Sequence, residues 1–333
     1  STEKLINKGI SQRVTQKLVA HLIEMGGAPF SETLPPYLLN HFKLIEKGNA
    51  LKEVHYPSTQ HNLSRAQARL KFEEFFYLQM QLILKNLQRK NKIKGFIFSE
   101  VGNTFHAFFK NHLPFPLTDA QKRVVKEIRI DLGSGRQMNR LLQGDVGSGK
   151  TIVALLSMLI AIDNEFQACL VAPTEILAQQ HYQSLLDLLN GTGVKIALLT
   201  GSTKSKDRKI LHEALEMGTL DILIGTHAVF EEKVQFKNLG LAIIDEQHRF
   251  GVAQRAKLWV KNEIPPHVLV MTATPIPRTL AMSIYGDLDL SVIDELPPGR
   301  KPVKTSHRFE SKRLAVFAFI KEQIQEGRQV YVV

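Results

Sequence analysis

The sequence has little cysteine and no long apolar run, and both shortages narrow the kinds of protein it can be. Its one cysteine, Cys169, lies in the apolar stretch ACLVA and is expected to be a small buried side chain. One cysteine cannot form an internal disulfide, which fits a reducing cytoplasm. No apolar run approaches the roughly 20 residues that span a bilayer, and the polar first residues do not resemble a signal peptide. We therefore expect a globular cytoplasmic protein with no membrane partner.

Clusters of cysteine and histidine are missing as well. No group of these residues has the ligand spacing of a zinc site, so zinc chemistry is not indicated. The chain also has no internal repeat and no low-complexity tract. The length of 333 residues predicts two or three structural units.

Positive charge, by contrast, is abundant and unevenly distributed. The net charge is +11; residues 1–116 hold 16 Lys/Arg against 8 Asp/Glu, whereas the remaining residues hold 27 against 24. The excess therefore belongs mainly to the N-terminal third, which includes the run KNLQRKNKIK at residues 85–94. A solvated helix face explains that run by itself. Contact with a phosphate backbone becomes the better explanation only if the rest of the chain indicates nucleic acid.

The first third of the chain has a helical pattern. Short apolar segments interrupted by prolines precede a stretch in which apolar residues recur at helical spacing. The spacing predicts a long amphipathic helix that begins at Ser64, with Ser64 as its N-cap. We interpret its aromatic stripe as core packing rather than as a stacking surface for bases.

The pattern changes after residue 116 to an alternation of strands and helices. Six apolar runs predict strands: RLLQG, ACLVA, KIALLT, DILIGT, LAIID and HVLVMT. Helical patterns separate most of them, beginning near Thr118, Gly149, Thr174 and Ser205. The alternation predicts an α/β domain with a mainly parallel sheet, in which ligands bind at the carboxyl ends of the strands.

The end of the chain contains a proline-rich segment, DELPPGRKPV, at residues 294–303. Its prolines predict an extended, stiff linker. A helical pattern over residues 311–325 follows, and then the apolar ending QVYVV. We interpret this ending as the first strand of a further unit.

The strongest motif is the stretch GDVGSGKT, which fits G-x-x-x-x-G-K-[ST]. It follows a predicted strand and opens a predicted helix, which is the context that a phosphate-binding loop requires. Backbone N–H groups would point at phosphate oxygens, Lys150 would attract the β and γ phosphates, and the Thr151 hydroxyl would bind Mg²⁺. The predicted nucleotide-binding loop consists of Gly144, Asp145, Val146, Gly147, Ser148, Gly149, Lys150 and Thr151.

A pair of carboxylates supplies the second half of the predicted site. Asp245 and Glu246 follow the apolar run LAII directly. A phosphate-loop enzyme needs a carboxylate at the end of a neighbouring strand to hold Mg²⁺, and Asp245 meets that need. Glu246 would then orient or deprotonate the attacking water. The adjacent pair favours a hydrolytic motor over small GTPases and most nucleotide kinases.

Several segments together resemble superfamily 2 helicases. The box DEQH at residues 245–248 is preceded by LTDAQKRVV and APTEILAQQH, and GTHAVF and TATPIPRT also stand in that family's order. More narrowly, LLQGDVGSGKT, IIDEQHRFGVAQR, MTATPIPRTLAM and DLDLSVIDELPPGR are similar to the RecG family of bacterial DNA helicases. The resemblance covers residues 113–333. It implies a RecA-like P-loop NTPase domain preceded by a mostly helical region, with ATP and Mg²⁺ as cofactors.

The resemblance also implies roles at the nucleotide. Gln121 should read the adenine edge, and Phe115 should pack on the ring. Gln247 and His248 should sense an opposite motor domain, while Arg249 and Phe250 pass the nucleotide state to DNA-facing elements. Without the resemblance, Gln121 is interpreted as an exposed helix amide.

Further positions are expected to contact DNA or to couple it to hydrolysis. Thr272, Ala273 and Thr274 match the segment that couples the phosphate state to the grip on DNA. Five residues at the ends of strands are candidates for backbone contacts, because small and hydroxyl residues allow close approach to phosphates: Pro173, Thr174, Gly225, Thr226 and His227. An ordinary turn at each strand end is the alternative.

From the resemblance we expect three parts: residues 1–112 as a basic DNA-binding or linking region, residues 113–296 as the first RecA-like ATP-binding domain, and residues 297–333 as a linker and the start of a second such domain. Superfamily 2 motors hydrolyse ATP between two domains, and arginines of the second domain stabilise the transferred charge. We therefore expect a piece of a longer protein that is nearly inactive by itself.

The expected activity is ATP-dependent translocation on double-stranded DNA that remodels stalled forks and branched recombination intermediates, by a monomer in the bacterial cytoplasm. Two other functions remain open. One is another superfamily 2 translocase, such as a transcription-repair coupling factor. The other is a DNA-binding module that uses ATP only as a conformational signal.

Overall fold

A seven-stranded parallel sheet forms the centre of the computed structural model, which describes residues 8–9, 11–24, 30–246, 264–274, 288–297 and 305–332. The strand order is β3-β4-β2-β5-β6-β1-β7, and every pair is parallel. The strands are β1 Asn139–Gly144, β2 Gln167–Val171, β3 Ile196–Leu199, β4 Ile222–Gly225, β5 Leu239–Asp245, β6 His267–Thr272 and β7 Asp289–Ile293. The prediction of an α/β domain with a mainly parallel sheet is confirmed.

The helices lie before, between and after the strands. They are α1 Gln12–Glu24, α2 Pro36–His41, α3 Lys47–His55, α4 Gln60–Lys92, α5 Asn103–Asn111, α6 Asp119–Leu132, α7 Lys150–Asp163, α8 Glu175–Leu189, α9 Ser205–Met217 and α10 Arg313–Gln325. Short 3₁₀ helices span His227–Phe230 and Glu310–Lys312. The described part before the sheet is therefore mostly helical, as the sequence predicts.

Both faces of the sheet are covered, which explains why its strands read as continuous apolar runs. Successive residues of a strand point to opposite faces, so Ile243 of β5 joins a core with α6 and α7, whereas Ile244 joins a second core with α9. Helix α7 is buried along residues 152–161, which accounts for its apolar character on all sides.

The strands differ from the sequence predictions in two places. Strand β7 was not predicted, because DLSVI is short and only partly buried at the edge of the sheet next to β1. The apolar ending, in contrast, forms no strand over its described residues 329–332. A strand needs a neighbour for its backbone hydrogen bonds, and this ending pairs with no described strand.

The long helix begins earlier than its apolar pattern indicates. Its N-cap is Thr59, whose side chain accepts a hydrogen bond from the backbone N–H of Asn62. Ser64 lies inside the helix and donates its hydroxyl to the Gln60 carbonyl, a local bond that serine readily makes within a helix. The N-cap prediction at Ser64 is therefore wrong by five residues.

The aromatic stripe of α4 is also less buried than the sequence suggests. The fully buried positions are Ala66 and Arg69, while Phe75 is 60% exposed and Leu87 is 52% exposed. Helix α3 packs along α4, and Ala50 of α3 is fully buried. Phe72 and Phe76 are half-buried and stack on each other, and Phe72 also packs on Phe42. The core-packing interpretation therefore holds for these two rings and not for Phe75.

A cluster of charges holds the helical region together. Arg69 is fully buried and pairs with Glu32 and Glu73, and Lys47 reaches Glu73 at 2.9 Å. Although burial raises the pKa of Glu32, hydrogen bonds from Leu34 and Lys47 backbone N–H groups and from Arg69 lower it to about 2. A buried arginine without such partners would cost several kcal/mol.

Two polar residues attach the segment that precedes the sheet to the α/β domain. The Asp163 carboxylate, at the end of α7, accepts backbone hydrogen bonds from Gly102, Thr104 and Phe105 at 2.9–3.0 Å and so caps α5. His267 of β6 is fully buried; its Nδ1 accepts from the Met138 N–H and its Nε2 lies 3.0 Å from the Phe96 carbonyl. Since Nδ1 accepts, the imidazole is neutral.

This arrangement predicts a pH dependence of stability. Burial lowers the pKa of His267 to about 4, against a smaller opposing effect of the Phe96 carbonyl. The unfolded chain, with an ordinary pKa near 6.5, therefore binds the proton first as pH falls, and stability decreases from about pH 6.5 towards pH 4. The free energy of unfolding from denaturant titration should fall by about 2 kcal/mol more between pH 7 and pH 5 in the wild type than in His267→Gln. Equal pH dependence in both proteins would contradict the assignment.

Candidate active site

The predicted phosphate loop joins the end of β1 to the start of α7. Gly147 and Gly149 have positive φ angles of 72° and 86°, a conformation that favours glycine. A Cβ on Gly149 would lie 2.2 Å from the Gln121 side-chain nitrogen. A Cβ on Gly144 would lie 2.4 Å from the Ser148 hydroxyl oxygen. The glycine spacing of the motif therefore follows from backbone conformation and close packing.

Lys150 lies across this loop. Its Nζ donates hydrogen bonds to the carbonyl oxygens of Gly144 at 2.7 Å and of Asp145 at 2.9 Å. Its ammonium therefore lies at the N-terminal end of α7, whose backbone N–H groups already favour an anion. An ammonium and the N-terminal end of a helix at one point are what a phosphate group requires.

Gln121 supports the loop from behind. It is fully buried; its side-chain oxygen accepts from the Thr118 N–H at 2.9 Å, and its side-chain nitrogen donates to the Ser148 carbonyl at 2.8 Å. Both ends of the amide are therefore engaged with protein. The structure places Gln121 against the phosphate loop, and its reading of an adenine edge stays a prediction.

A cavity opens beside the loop. It has a volume of about 430 Å³, and Phe115 lines it on one side. The remaining lining residues are Pro116, Gly147, Gly149, Lys150, Thr151 and Pro297. Phe115 therefore lies beside the phosphate loop, and its packing on a base stays a prediction.

The segment after β7 closes over α6 near this cavity. Arg123 of α6 donates to the Val292 carbonyl and to the Asp294 carboxylate, at 2.9 and 2.8 Å. The Ala120 N–H donates to the Glu295 carboxylate at 3.0 Å. The first residues of the predicted linker are therefore attached to α6, and Pro297 lines the cavity.

The two carboxylates leave β5 at the same edge of the sheet as the phosphate loop. Only β6 separates β5 from β1, so the two strand ends lie about 10 Å apart at the usual strand spacing. The Asp245 side chain is 13% exposed, and its Oδ2 lies 2.8 Å from Nε2 of His181. The carboxylate is therefore held in one orientation.

Glu246 adopts a conformation that is uncommon outside glycine, with φ of 52°. Its N–H donates to the Met271 carbonyl at 2.9 Å, and its Oε1 accepts from the Ala273 N–H at 3.1 Å. Both bonds join it to the end of β6. The predicted base is thus tied to the predicted coupling segment, in which the Thr272 hydroxyl oxygen also accepts from the Thr274 N–H.

The donor set suits Mg²⁺. The Thr151 hydroxyl and the Asp245 carboxylate are hard oxygen ligands of the kind this ion takes. The described residues contain no group of three or more histidine, cysteine or acidic side chains that could hold a metal. Few protein ligands, completed by phosphate and water, are what Mg²⁺ prefers.

The predicted DNA-contact residues lie at the carboxyl ends of β2 and β4, with different exposure. Thr174 caps α8 by accepting from the Leu177 N–H at 3.3 Å. Gly225 is packed so closely that a Cβ would lie 2.2 Å from the Leu199 carbonyl oxygen, and Thr226 is 2% exposed. His227 is exposed. Contact with DNA stays a prediction for all of these residues and for Pro173.

Four of the predicted site residues fall outside the described part of the chain: Gln247, His248, Arg249 and Phe250. Their assigned roles stay predictions.

Two residues near the site were not predicted individually. His181 contacts Asp245, and Glu175 accepts hydrogen bonds from the Ser202 N–H and hydroxyl at 3.1 and 2.9 Å. Both belong to the segment APTEILAQQH. The missing information was the sheet order, which places β5 beside β2 and so brings α8 next to Asp245.

None of the described helices has the length and apolar character that crossing a bilayer requires.

Comparison with known sequences agrees with this site. The DEAD/DEAH box helicase family model matches residues 118–283. The chain is 46% identical to an ATP-dependent DNA helicase RecG of Synechocystis over 98% of its own length and 39% of the relative's. It is 44% identical to that of Bacillus subtilis, covering 97% of this chain and 48% of the relative. The chain thus spans half or less of the length of these relatives.

Solved structures agree as well. A RecG structure bound to a three-way DNA junction has 40% sequence identity and a TM-score of 0.76, covering 96% of this chain and 43% of that one. The DEAD-box helicase Mss116, at 20% identity and a TM-score of 0.51, covers 68% of this chain and 51% of its own and shares the fold alone. Since the sequence relatives and the RecG structure cover nearly the whole of this chain and the helicase model matches residues 118–283, the chain belongs to the RecG family of superfamily 2 helicases.

Proposed function

We propose that the protein is an ATP-dependent translocase of double-stranded DNA that remodels stalled forks and other branched DNA. The observation that carries this proposal is the pairing of a phosphate loop with Asp245 and Glu246 at one sheet edge, in a chain of the RecG family. Two of its relatives are DNA helicases by name, and one solved RecG holds a three-way DNA junction. The same support favours a RecG-type remodelling enzyme over a transcription-repair coupling factor.

The residues of the site divide the chemistry between them. The loop N–H groups and Lys150 bind and orient the phosphates of ATP. Thr151 and Asp245 would hold Mg²⁺, and the ion would supply positive charge next to the phosphates. Glu246 orients the attacking water and accepts its proton. The hydrogen bond from Ala273 to Glu246 gives this step a direct connection to the coupling segment.

The remaining parts of the proposal concern organisation. Residues 1–112 are proposed as the DNA-binding or linking region, because they hold most of the excess positive charge. Residues 113–296 are proposed as the first motor domain and residues 297–333 as the connection to a second. We propose a monomer that works in the bacterial cytoplasm.

The first test compares DNA substrates. ATP hydrolysis should be stimulated most by a three-way junction, less by linear duplex and least by single strands, because remodelling acts on the branch. Multiple-turnover phosphate release measures this order in the whole protein. Equal stimulation by linear duplex would favour a coupling-type translocase. Binding of ATP that changes DNA affinity, without turnover on any DNA, would favour a nucleotide-gated module.

The second test removes the loop ammonium. Lys150→Ala should weaken binding of ATP with Mg²⁺ by roughly ten- to hundred-fold, the usual loss for a hydrogen bond to a charged group. Binding of branched DNA should change little. Calorimetric titration of ATP measures the loss, and Lys122→Ala is the matched control because that lysine is exposed and pairs with Asp119 on the surface. Undiminished ATP affinity in Lys150→Ala would remove the residue from the site.

The third test separates binding from chemistry. Glu246→Gln keeps a side-chain oxygen that can accept from the Ala273 N–H but cannot take a proton. Hydrolysis should fall by roughly 10²- to 10⁴-fold, while ATP affinity stays within about two-fold of the wild type. Single-turnover hydrolysis and equilibrium titration measure the two quantities. Hydrolysis at the wild-type rate would assign the base elsewhere.

A further inference from the structure

The contact between His181 and Asp245 is the feature of the site that the proposed chemistry leaves unexplained. Nε2 of His181 lies 2.8 Å from Oδ2 of Asp245, and the two side chains are 14% and 13% exposed. An ionised carboxylate only accepts hydrogen bonds, so the imidazole Nε2 must carry the hydrogen. The pair is therefore a charge-assisted hydrogen bond in a largely buried setting.

The position of His181 on its helix is one where packing alone would favour an apolar side chain. Residues at spacings of three and four share one helix face, and Ala178 and Leu185 on either side of His181 are both fully buried. His181 thus stands on the core-facing stripe of α8, where an apolar residue would be expected. Its ring fills the stripe, and its polar edge reaches Asp245.

The geometry of the strands makes this contact specific. Helix α8 follows β2, and β2 pairs with β5 through Val171 and Ile244, one residue before Asp245. The imidazole therefore approaches the carboxylate from the side of β2, whereas the phosphate loop lies on the other side, beyond β6. His181 occupies the Oδ2 atom of the carboxylate from the side of β2.

We propose that His181 is a positioning residue that orients the Asp245 carboxylate for its metal ion; this rests on the proposed ATP and Mg²⁺ site. By holding Oδ2, the imidazole presents Oδ1 as a single, directed ligand. Outer-shell partners of this kind typically contribute 10- to 100-fold to metal affinity or activity. Mg²⁺ requires near-ideal geometry, so a misdirected carboxylate weakens its binding.

The test measures the Mg²⁺ concentration that is required for nucleotide binding. ATP binding is titrated with Mg²⁺ in the wild type, His181→Leu, His181→Gln and Gln180→Ala. Leucine fills the stripe without a donor, glutamine restores an N–H donor, and Gln180 is an exposed neighbour on the same helix. His181→Leu should raise the half-saturating Mg²⁺ concentration by about 10-fold or more. His181→Gln should bring this concentration most of the way back to the wild-type value. Gln180→Ala should have the wild-type value.

Two results would overturn the proposal. One is a folded His181→Leu protein with the wild-type Mg²⁺ requirement. The other is a His181→Leu protein in which ATP binding in EDTA falls as much as binding with Mg²⁺, because a role in packing would affect both. Thermal unfolding of each variant shows whether it folds.

A second measurement keeps the inference separate from the proposed function. Nitrogen NMR of histidine-labelled protein should find the Nε2–H form of His181 in the wild type, with an exchange-protected proton that is lost in Asp245→Ala. A wild-type protein that binds no ATP would contradict the proposed function. The NMR signature would still show whether His181 is hydrogen-bonded to Asp245. An unprotected Nε2 in the wild type would overturn the positioning role.

Discussion

The parallel pairing of β1, β6 and β5 is the constraint on which the site depends. Backbone hydrogen bonds fix the register, with Gln143 opposite Thr272 and Asp245 opposite Met271. Because the strands are parallel, the phosphate loop, the coupling segment and the two carboxylates all leave the sheet at one edge. A slip of one residue would turn Asp245 to the other face of the sheet. The predicted site is thus positioned by main-chain bonds rather than by contacts between its side chains.

Hydrogen bonds to polar side chains complete the positioning. Gln121 holds the phosphate loop, His181 holds Asp245, and the Ala273 N–H holds the Glu246 carboxylate. Farther away, His267 binds the segment before the sheet. Each is partnered at good distance, which a buried polar group requires if it is not to destabilise the fold. These bonds give the site a fixed geometry because each partner lies on a different element.

The sequence predicted the elements better than their environments. All six predicted strands and the helices that begin near Thr118, Gly149, Thr174 and Ser205 are present. Those predictions rest on local patterns that the sequence contains in full. The exposure of Phe75 on α4, the capping by Thr59 and the edge strand β7 were missed. Burial and edge position depend on what packs alongside, which no local pattern specifies.

The sequence by itself determined the phosphate loop, the carboxylate pair at the end of β5 and the parallel sheet, because glycine spacing, adjacent acids and apolar runs are local signals. Only the tertiary structure decided which side chains meet. It placed Gln121 behind the loop instead of at its surface, and His181 against Asp245. The physical reason is the strand order: β2 and β5 are neighbours in the sheet although about 70 residues separate them. Contacts across such a distance arise only when the chain folds.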